Sequence, residues 1–530
     1  MDKDLLTREV RRRRTFAIIS HPDAGKTTLT EKLLLYGGAI HLAGAIKAKK
    51  ATRHATSDWM EIEKERGISI TSSVLQFDYS GKRINLLDTP GHQDFSEDTY
   101  RTLSAADSAV MLIDNAKGVE TQTKKLFEVC RLRGLPIFTF INKLDREGRD
   151  PLDVMAEIEQ LLGIQCVPVM WPIGMGRRFQ GVYDRHNARV HLFQHSFHGA
   201  KKLETEMVQG DDPRLEELIG EDAYKQLRDE LELLDAAGTS FSPEAVLAST
   251  ITPVYFGSAL TNFGVEPFLQ SFLEVAPQPA AYKSHGEPLP PESPQFSGFV
   301  FKIQANMDPL HRDRVAFLRI CSGRFERGMP VKHQRLEKEI RLTKPMQFMA
   351  QERSVVDEAF AGDIIGLFDT GILRIGDTLT DGKHIKFEEV PHFSPEHFAR
   401  LRIKDPLKRK QLKKGLDQLS EEGAIQVFYQ VGRGEMDPIV GAVGQLQFEV
   451  MQYRLEAEYG APTILEKLAY DIARWVEGEG YDPKAFASRD RAACVEDRDG
   501  KPMILFKGEW SLRHAQNDFP KLKFMMTGRA

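Results

Sequence analysis

Four short groups of residues in this chain have the types and spacing to hold a nucleoside triphosphate. Ser20-His21-Pro22-Asp23-Ala24-Gly25-Lys26-Thr27-Thr28 follows the apolar run 16–19 and opens a helical pattern. A loop of this kind aims backbone N–H groups at phosphates from the positive end of a helix dipole. Lys26 then reaches the β- and γ-phosphates, and the Thr27 hydroxyl binds Mg2+. The loop departs from the usual pattern at its first position, where Ser20 replaces glycine. Asp88-Thr89-Pro90-Gly91-His92 follows the run 84–87. Asp88, at a strand end, suits Mg2+ held through water, and the Gly91 N–H suits a γ-phosphate. Asn142-Lys143-Leu144-Asp145 follows the run 137–141 and suits a purine base. The Asp145 carboxylate can accept from both N1–H and the 2-amino group of guanine. Adenine offers neither donor, so the carboxylate would stay unpaired, a logic that discriminates by ~10⁴ or more. Ser258-Ala259-Leu260, after the run 253–256, offers backbone N–H groups to the guanine oxygen.

Two further features bear on hydrolysis. Between Thr28 and Asp88 lies Glu65-Arg66-Gly67-Ile68-Ser69-Ile70-Thr71. A hydroxyl here, Ser69, completes the Mg2+ shell only while GTP is present, which makes the segment a switch. His92 stands directly after Asp-Thr-Pro-Gly, where signalling GTPases carry a water-orienting glutamine. It is expected to position the attacking water while Lys26 and Mg2+ neutralise phosphate charge. Taken singly, Asn-Lys-x-Asp and Asp-Thr-Pro-Gly are ordinary turns. In this order, each after its own strand, they specify a GTP hydrolase that uses GTP/GDP and Mg2+. No arginine finger is assignable within the chain.

Positioning these groups requires short buried strands alternating with helices. The runs 16–19, 84–87, 109–113 and 137–141 are near-continuous apolar strands, with helical stretches near 97–107, 120–133 and 151–163. That is the pattern of a parallel sheet covered by helices. Residues 74–79, followed by Ser80-Gly81-Lys82, read as a hairpin at the sheet edge. Asp145 and Ser258 are separated by 112 residues, whereas one crossover needs ~30, so an inserted subdomain is expected at about 165–245. The fold class predicted is multidomain α/β plus β-barrel. A P-loop GTPase G domain spans 1–280 and a Pro-rich linker 281–295, six prolines falling in 276–295. A β-barrel domain spans 296–390, read from period-2 strands with Gly turns, and an α+β C-terminal domain spans 391–530.

Composition is that of an ordinary globular chain: 530 residues, 41% hydrophobic, 28% charged. The net charge of −5 argues against coating nucleic acid by bulk positive charge, so no DNA partner is expected. RNA contact would need local basic patches, for which Arg11–Arg14 and the 404–414 segment are candidates, each equally readable as a solvated face. Four scattered cysteines without a CxxC pair exclude a zinc ribbon and a disulfide framework. No apolar run nears the ~18 residues of a membrane helix, and the charged first residues lack a signal peptide's apolar stretch. A cytoplasmic protein with no membrane partner, and a monomer, is expected.

The combined motifs resemble those of translational GTPases of the elongation factor G/Tu superfamily. Within them the chain is most similar to the bacterial class II peptide-chain release factors. The similarity is carried by residues 20–27, by Arg66-Gly67-Ile68-Ser69-Ile70-Thr71, and by 257–264, 311–317 and 443–450, spanning essentially the whole chain. Ser20 and Ser69, unusual among GTPases at large, look usual for this group, and Ser69 keeps the hydroxyl. The resemblance implies ribosome-dependent GTP hydrolysis, stimulated by the sarcin–ricin loop of the large-subunit rRNA, and ejection of class I release factors after peptide release. Rival readings are a translocase or ribosomal protection protein, disfavoured because the chain beyond the barrel suffices for one domain only, and a regulatory GTPase subunit of a metabolic enzyme, for which the insertion is unexpected. A non-hydrolysing GTP sensor is opposed by Lys26 and His92.

Overall fold

The computed structural model describes residues 3–40, 71–193, 205–236, 240–305, 314–343, 345–349, 352–382, 384–388, 392–432, 437–483, 486, 492–525 and 527–528. Seven strands form the first sheet: β1 (Arg13–Ser20), β2 (Ser73–Tyr79), β3 (Lys82–Asp88), β4 (Ser108–Asp114), β5 (Ile137–Asn142), β6 (Gln165–Pro168) and β7 (Ile251–Phe256). Their order is β2-β3-β1-β4-β5-β7-β6. Only β2 is antiparallel, joined to β3 as the expected edge hairpin, and the rest pair in parallel. β1, β4, β5 and β7 are buried at every residue, as strands in a helix-covered parallel sheet must be. The helices are α1 (Lys3–Arg12), α2 (Lys26–Tyr36), α3 (Ser96–Ser104), α4 (Thr121–Leu132), α5 (Pro151–Leu162) and α6 (Val265–Val275). Phe16, Phe138 and Phe272 seal α6 to the sheet with edge-on ring contacts of 4.7 Å. The phosphate-loop, Asp88, Asn142 and Ser258 segments all leave the carboxyl ends of parallel strands, the ligand-binding edge of such sheets.

The excursion between β5 and β7 starts one strand later than the spacing suggested. Residues 165–168 are β6, paired with β7 in the main sheet, because Cys166 and Val167 are buried in the same core. The insertion proper is a four-stranded antiparallel sheet (Met170–Ile173, Gly181–Asp184, Arg189–Phe193, Thr205–Gln209) followed by helices Leu215–Ile219, Glu221–Ala236 and Pro243–Leu247. The Pro-rich stretch 281–295 is more than a linker. It folds a hairpin, Tyr282–Ser284 with Glu287–Leu289, anchored by Tyr282. That ring packs against Phe299 and Phe387, and its hydroxyl donates to the Ser104 carbonyl at 3.0 Å.

The second domain is antiparallel throughout. Its strands run Lys338–Arg341, Pro330–His333, Thr378–Thr380, Ser297–Ala305, Arg314–Ser322, Ile364–Phe368, Pro345–Met349 and Glu352–Val355 in sheet order, with a ribbon of Arg324–Glu326 and Glu358–Phe360. Phe296, Val300, Leu318, Ile320, Phe325 and Leu379 fill the core of this β-barrel, and Leu6 and Val10 of α1 pack into the same core. This takes Arg13 and Arg14 out of the run offered for RNA or for solvent, while Arg11 stays exposed. Arg13 is buried, with its Nε 2.7 Å from Asp363 Oδ2 and its guanidinium over the Phe360 ring. Arg14 is buried as well, donating to the Arg11 and Arg13 carbonyls.

The third domain holds α7 (Arg409–Glu421), α8 (Gln445–Ala457) and α9 (Glu509–Asp518). Strands His397–Ile403, Gln426–Gln430, Ile439–Ala442 and Thr463–Leu468 with α7 and α8 make a ferredoxin-like β-α-β-β-α-β unit. The sheet continues through Ala492–Glu496, Pro502–Phe506, Ile472–Glu477 and Lys523–Met525, giving the α+β character expected. Lys404, Arg409, Lys410, Lys413 and Lys414 are exposed on α7 and its approach. All four cysteines are free and buried. Among the described residues no helix is long and apolar enough to cross a membrane.

One buried charge in the barrel makes its stability depend on pH. Asp377 accepts from His333 Nε2 (2.8 Å), Arg335 Nε (2.7 Å) and the Arg374 N–H (2.7 Å). Burial disfavours its charged form, but these hydrogen bonds outweigh that and bring the carboxyl down to about 2 from 3.8. A depressed acid stabilises the fold above the unfolded pKa and loses that contribution as pH falls through the folded one. Asp377→Asn is therefore expected to destabilise the barrel by ~2 kcal/mol at neutral pH. Hydrogen exchange in strands 330–333 and 378–380 should show the gap to wild type closing between about pH 4 and pH 2.

Candidate nucleotide-binding site

Backbone conformation builds the phosphate loop. After β1 the chain turns through Asp23 (φ 66°) and Gly25 (φ 98°) into α2. The left-handed conformation favours glycine at 25, and so does space, since a Cβ there would lie 2.5 Å from Asn142 Nδ2. Lys26 is buried and pairs with Asp88 Oδ1. The other Asp88 oxygen, Oδ2, is buried without a hydrogen-bond partner among the described residues, as is Ser20 Oγ. Burial lowers the His21 pKa against the opposing pull of Glu120, whose Oε2 stands 3.1 Å from Nε2.

Asn142 ties the base and phosphate segments together. Its Nδ2 donates to the Ala24 carbonyl at 2.8 Å, and its Oδ1 accepts the Ala259 N–H at 2.8 Å. Lys143, itself at φ 72°, donates to the Asp23 carbonyl and reaches Asp114 Oδ2 at 2.7 Å. Leu144 is fully buried, and its N–H donates to Gly257 O. Asp145 Oδ1 accepts from Ser258 Oγ at 2.6 Å, which aims the half-buried carboxylate. Leu260 stays exposed.

Two contributors were missed by sequence reasoning. Asp114 holds Lys143. Burial opposes its charged form, but the Lys143 ammonium and the Ala116 and Lys117 N–H groups outweigh that and lower its pKa. The signal was available, because Asp114 ends β4 just as Asp88 ends β3. Ser258 was assigned through its backbone alone, whereas its side chain is what orients Asp145.

Thr89 and Pro90 lead from β3 toward the loop, with the Thr89 hydroxyl donating to the Ile18 carbonyl at 2.6 Å. A Cβ on Gly91 would meet the Pro22 backbone nitrogen at 3.5 Å, so the Asp88–His92 segment lies against the phosphate loop. His92 is partly exposed, with its ring edge-on to Phe95. Ser20, His21, Pro22, Asp23, Ala24, Gly25, Lys26, Thr27 and Thr28 thus share one neighbourhood with Asp88–His92, Asn142–Asp145 and Ser258–Leu260. Ser69, the expected third Mg2+ ligand, lies outside the described residues.

This site and this fold define a class. Residues 11–278 match the elongation factor Tu GTP binding domain, and residues 295–382 match elongation factor G domain 2. A crystal structure from Thermus thermophilus superposes with a TM-score of 0.69 at 23% identity, covering 92% of this chain and 72% of that one. The chain is a GTP hydrolase built on the translational-GTPase plan. The rest of the chain narrows the class: residues 387–516 match the class II release factor RF3 C-terminal domain. Peptide chain release factor 3 of Symbiobacterium thermophilum is 61% identical over 99% of this chain and 100% of its own length. That of a Cyanothece species is 58% identical over 98% and 96%. The chain belongs to the peptide chain release factor 3 family and is a translation-termination GTPase.

The Ser258–Asp145 geometry generates a test of base selection. Asp145→Asn is expected to weaken GTP binding ~100-fold or more and to favour xanthosine triphosphate, whose 2-oxo group can accept from the new amide. Competition binding between the two nucleotides measures it, and an unchanged preference for GTP would remove Asp145 from base reading.

Proposed function

We propose that this chain, with GTP bound, engages the ribosome after peptide release, stabilises its rotated state and ejects the class I release factor. Hydrolysis, stimulated by the sarcin–ricin loop, then frees the chain, which acts as a cytoplasmic monomer. The observation that carries this reading is how the segments nearest the γ-phosphate site touch the other two domains. Ser72, just after the proposed switch, donates its N–H to Asp98 of α3 at 2.9 Å, and Lys302 of the barrel donates to the Ser72 carbonyl. Arg101, one turn further along α3, reaches the Glu422 and Gly423 carbonyls of the third domain at 3.4 Å. Ordering of these segments by the γ-phosphate is thereby readable as domain position.

Within the site, Lys26 holds the β- and γ-phosphates, Gly91 donates to the γ-phosphate, and His92 orients the attacking water. Asn142, Lys143, Asp145 and the 258–260 turn hold guanine. Asp88 Oδ2, buried and without a hydrogen-bond partner among the described residues, fits Mg2+, as does the hydroxyl type of Thr27, with Ser69 as the switch ligand. When bound, Mg2+ supplies charge neutralisation on the phosphates.

The test is the dwell time of a labelled class I release factor on post-termination ribosomes. Departure should quicken only with this chain and GTP together. Unchanged dwell would overturn the ejection role. His92→Ala should slow ribosome-stimulated hydrolysis ~100-fold while leaving GTP affinity within a few fold, as for loss of a positioned proton-transfer group. A near-normal stimulated rate would remove His92 from the mechanism.

A further inference from the structure

The start of α8 in the third domain has no N-cap side chain to take its first free N–H groups. Gly444, at its N-cap, lacks a side chain, and Gln447 Oε1 turns back to accept from the Val443 and Gly444 N–H groups. The missing acceptor comes from the G domain: Asp94 Oδ2 takes the Leu446 N–H at 2.7 Å. A Cβ on residue 444 would overlap Asp94 Cγ, so the close approach exists because 444 is glycine. The carboxylate also sits at the positive end of the α8 dipole, which strengthens the contact.

Asp94 is two residues beyond His92 and touches it as well. The Asp94 backbone N–H donates to His92 Nδ1 at 3.2 Å. With Nδ1 accepting, the neutral ring carries its proton on Nε2. Asp94 Oδ1 stands 3.4 Å from Nδ1, while Oδ2 is held by α8.

We propose that Asp94 is a positioning residue that makes the protonation geometry of His92 depend on docking of the third domain. While α8 holds the carboxylate by Oδ2, Oδ1 is kept 3.4 Å from Nδ1, beyond a good hydrogen bond, and the Asp94 N–H holds the imidazole as the Nε2–H tautomer, a donor toward water or phosphate. When α8 leaves, the carboxylate can accept from Nδ1–H, and Nε2 becomes the acceptor an attacking water needs. Docking therefore restrains hydrolysis away from the ribosome. This rests on the reading of His92 as the water-orienting residue.

The test uses the full chain labelled with 15N-histidine, with the His92 signals identified by their loss in His92→Gln. The wild type should show Nε2 protonated and Nδ1 bare. Gly444→Ala adds one methyl group at an ordinary extended φ of −136° and touches neither His92 nor Asp94 in sequence. It should move the proton to Nδ1 and raise ribosome-independent GTP hydrolysis at least ~5-fold, the scale of a typical coupling. An Nδ1-protonated wild type overturns the proposal whatever the variant does. Unchanged nitrogen signals and rate in Gly444→Ala overturn it too. A normal stimulated rate in His92→Ala would sink the water-orienting reading alone and leave the tautomer linkage to be judged by the nitrogen signals.

Discussion

One backbone carbonyl holds two domains in register. Gly362 O accepts from Thr15 Oγ1 (2.6 Å), Arg319 Nη1 (2.6 Å) and Asn85 Nδ2 (3.1 Å). Thr15 is on β1 and Asn85 on β3, while Arg319 belongs to the barrel. Arg319 then reaches Asp107 Oδ2 at 2.7 Å, and Asp107 Oδ1 takes the Ala280 N–H at 3.0 Å. All four side chains are buried. Separating such a pair without replacement costs ~3–5 kcal/mol, because each charge would be left unpaired in a medium of low dielectric. The barrel and the first sheet therefore behave as one body. Everything at the nucleotide edge inherits its position from this, since β1 and β3 deliver the phosphate loop and Asp88.

The third domain is joined by mixed contacts, among them ion pairs from the barrel, Arg314 with Glu421 and Arg374 with Asp499 Oδ1 at 3.2 Å. Arg101 meets main-chain carbonyls at long range, and Asp94 meets a helix end. Glu422 bridges outward to the barrel through the Ala305 N–H at 3.1 Å, but its firmest partner is Arg454 of its own domain at 2.6 Å. Main-chain groups released from such contacts can be taken up by water, whereas the part-buried Arg314–Glu421 pair is the costlier contact to open. A rigid pair of domains with a detachable third is the arrangement in which a small ligand can shift a large population.

That the four segments of the candidate nucleotide site come together was legible in the sequence because each is local: a strand, a turn and a few side chains in sequence order. The strands of the first sheet were legible for the same reason, their burial writing unbroken apolar runs at 109–113 and 137–141. What escaped are pairings between distant residues, which leave no periodic trace. Arg13 and Arg14 lie in a basic run that looks solvated until Asp363 and Phe360 arrive from the barrel. Residues 165–168 read as the start of an insertion because only β7, more than eighty residues on, makes them part of the main sheet. Tyr282 in the Pro-rich stretch gave no sign of its partners Phe299 and Phe387. Ser258 was visible as a turn residue, but its grip on Asp145 depends on two loops meeting.

The placement of α1 has a consequence for how the chain is made. Leu6 and Val10 leave the ribosome well before the core that receives them, which includes Phe296, Leu318 and Leu379. At ~5–20 residues per second, tens of seconds separate their synthesis from that of the last barrel strand. Through that interval α1 carries an apolar stripe with nothing to cover it, beside a first domain whose own sheet is already complete. This helix is thus among the last parts to find its place, and its docking marks the completion of the two-domain body.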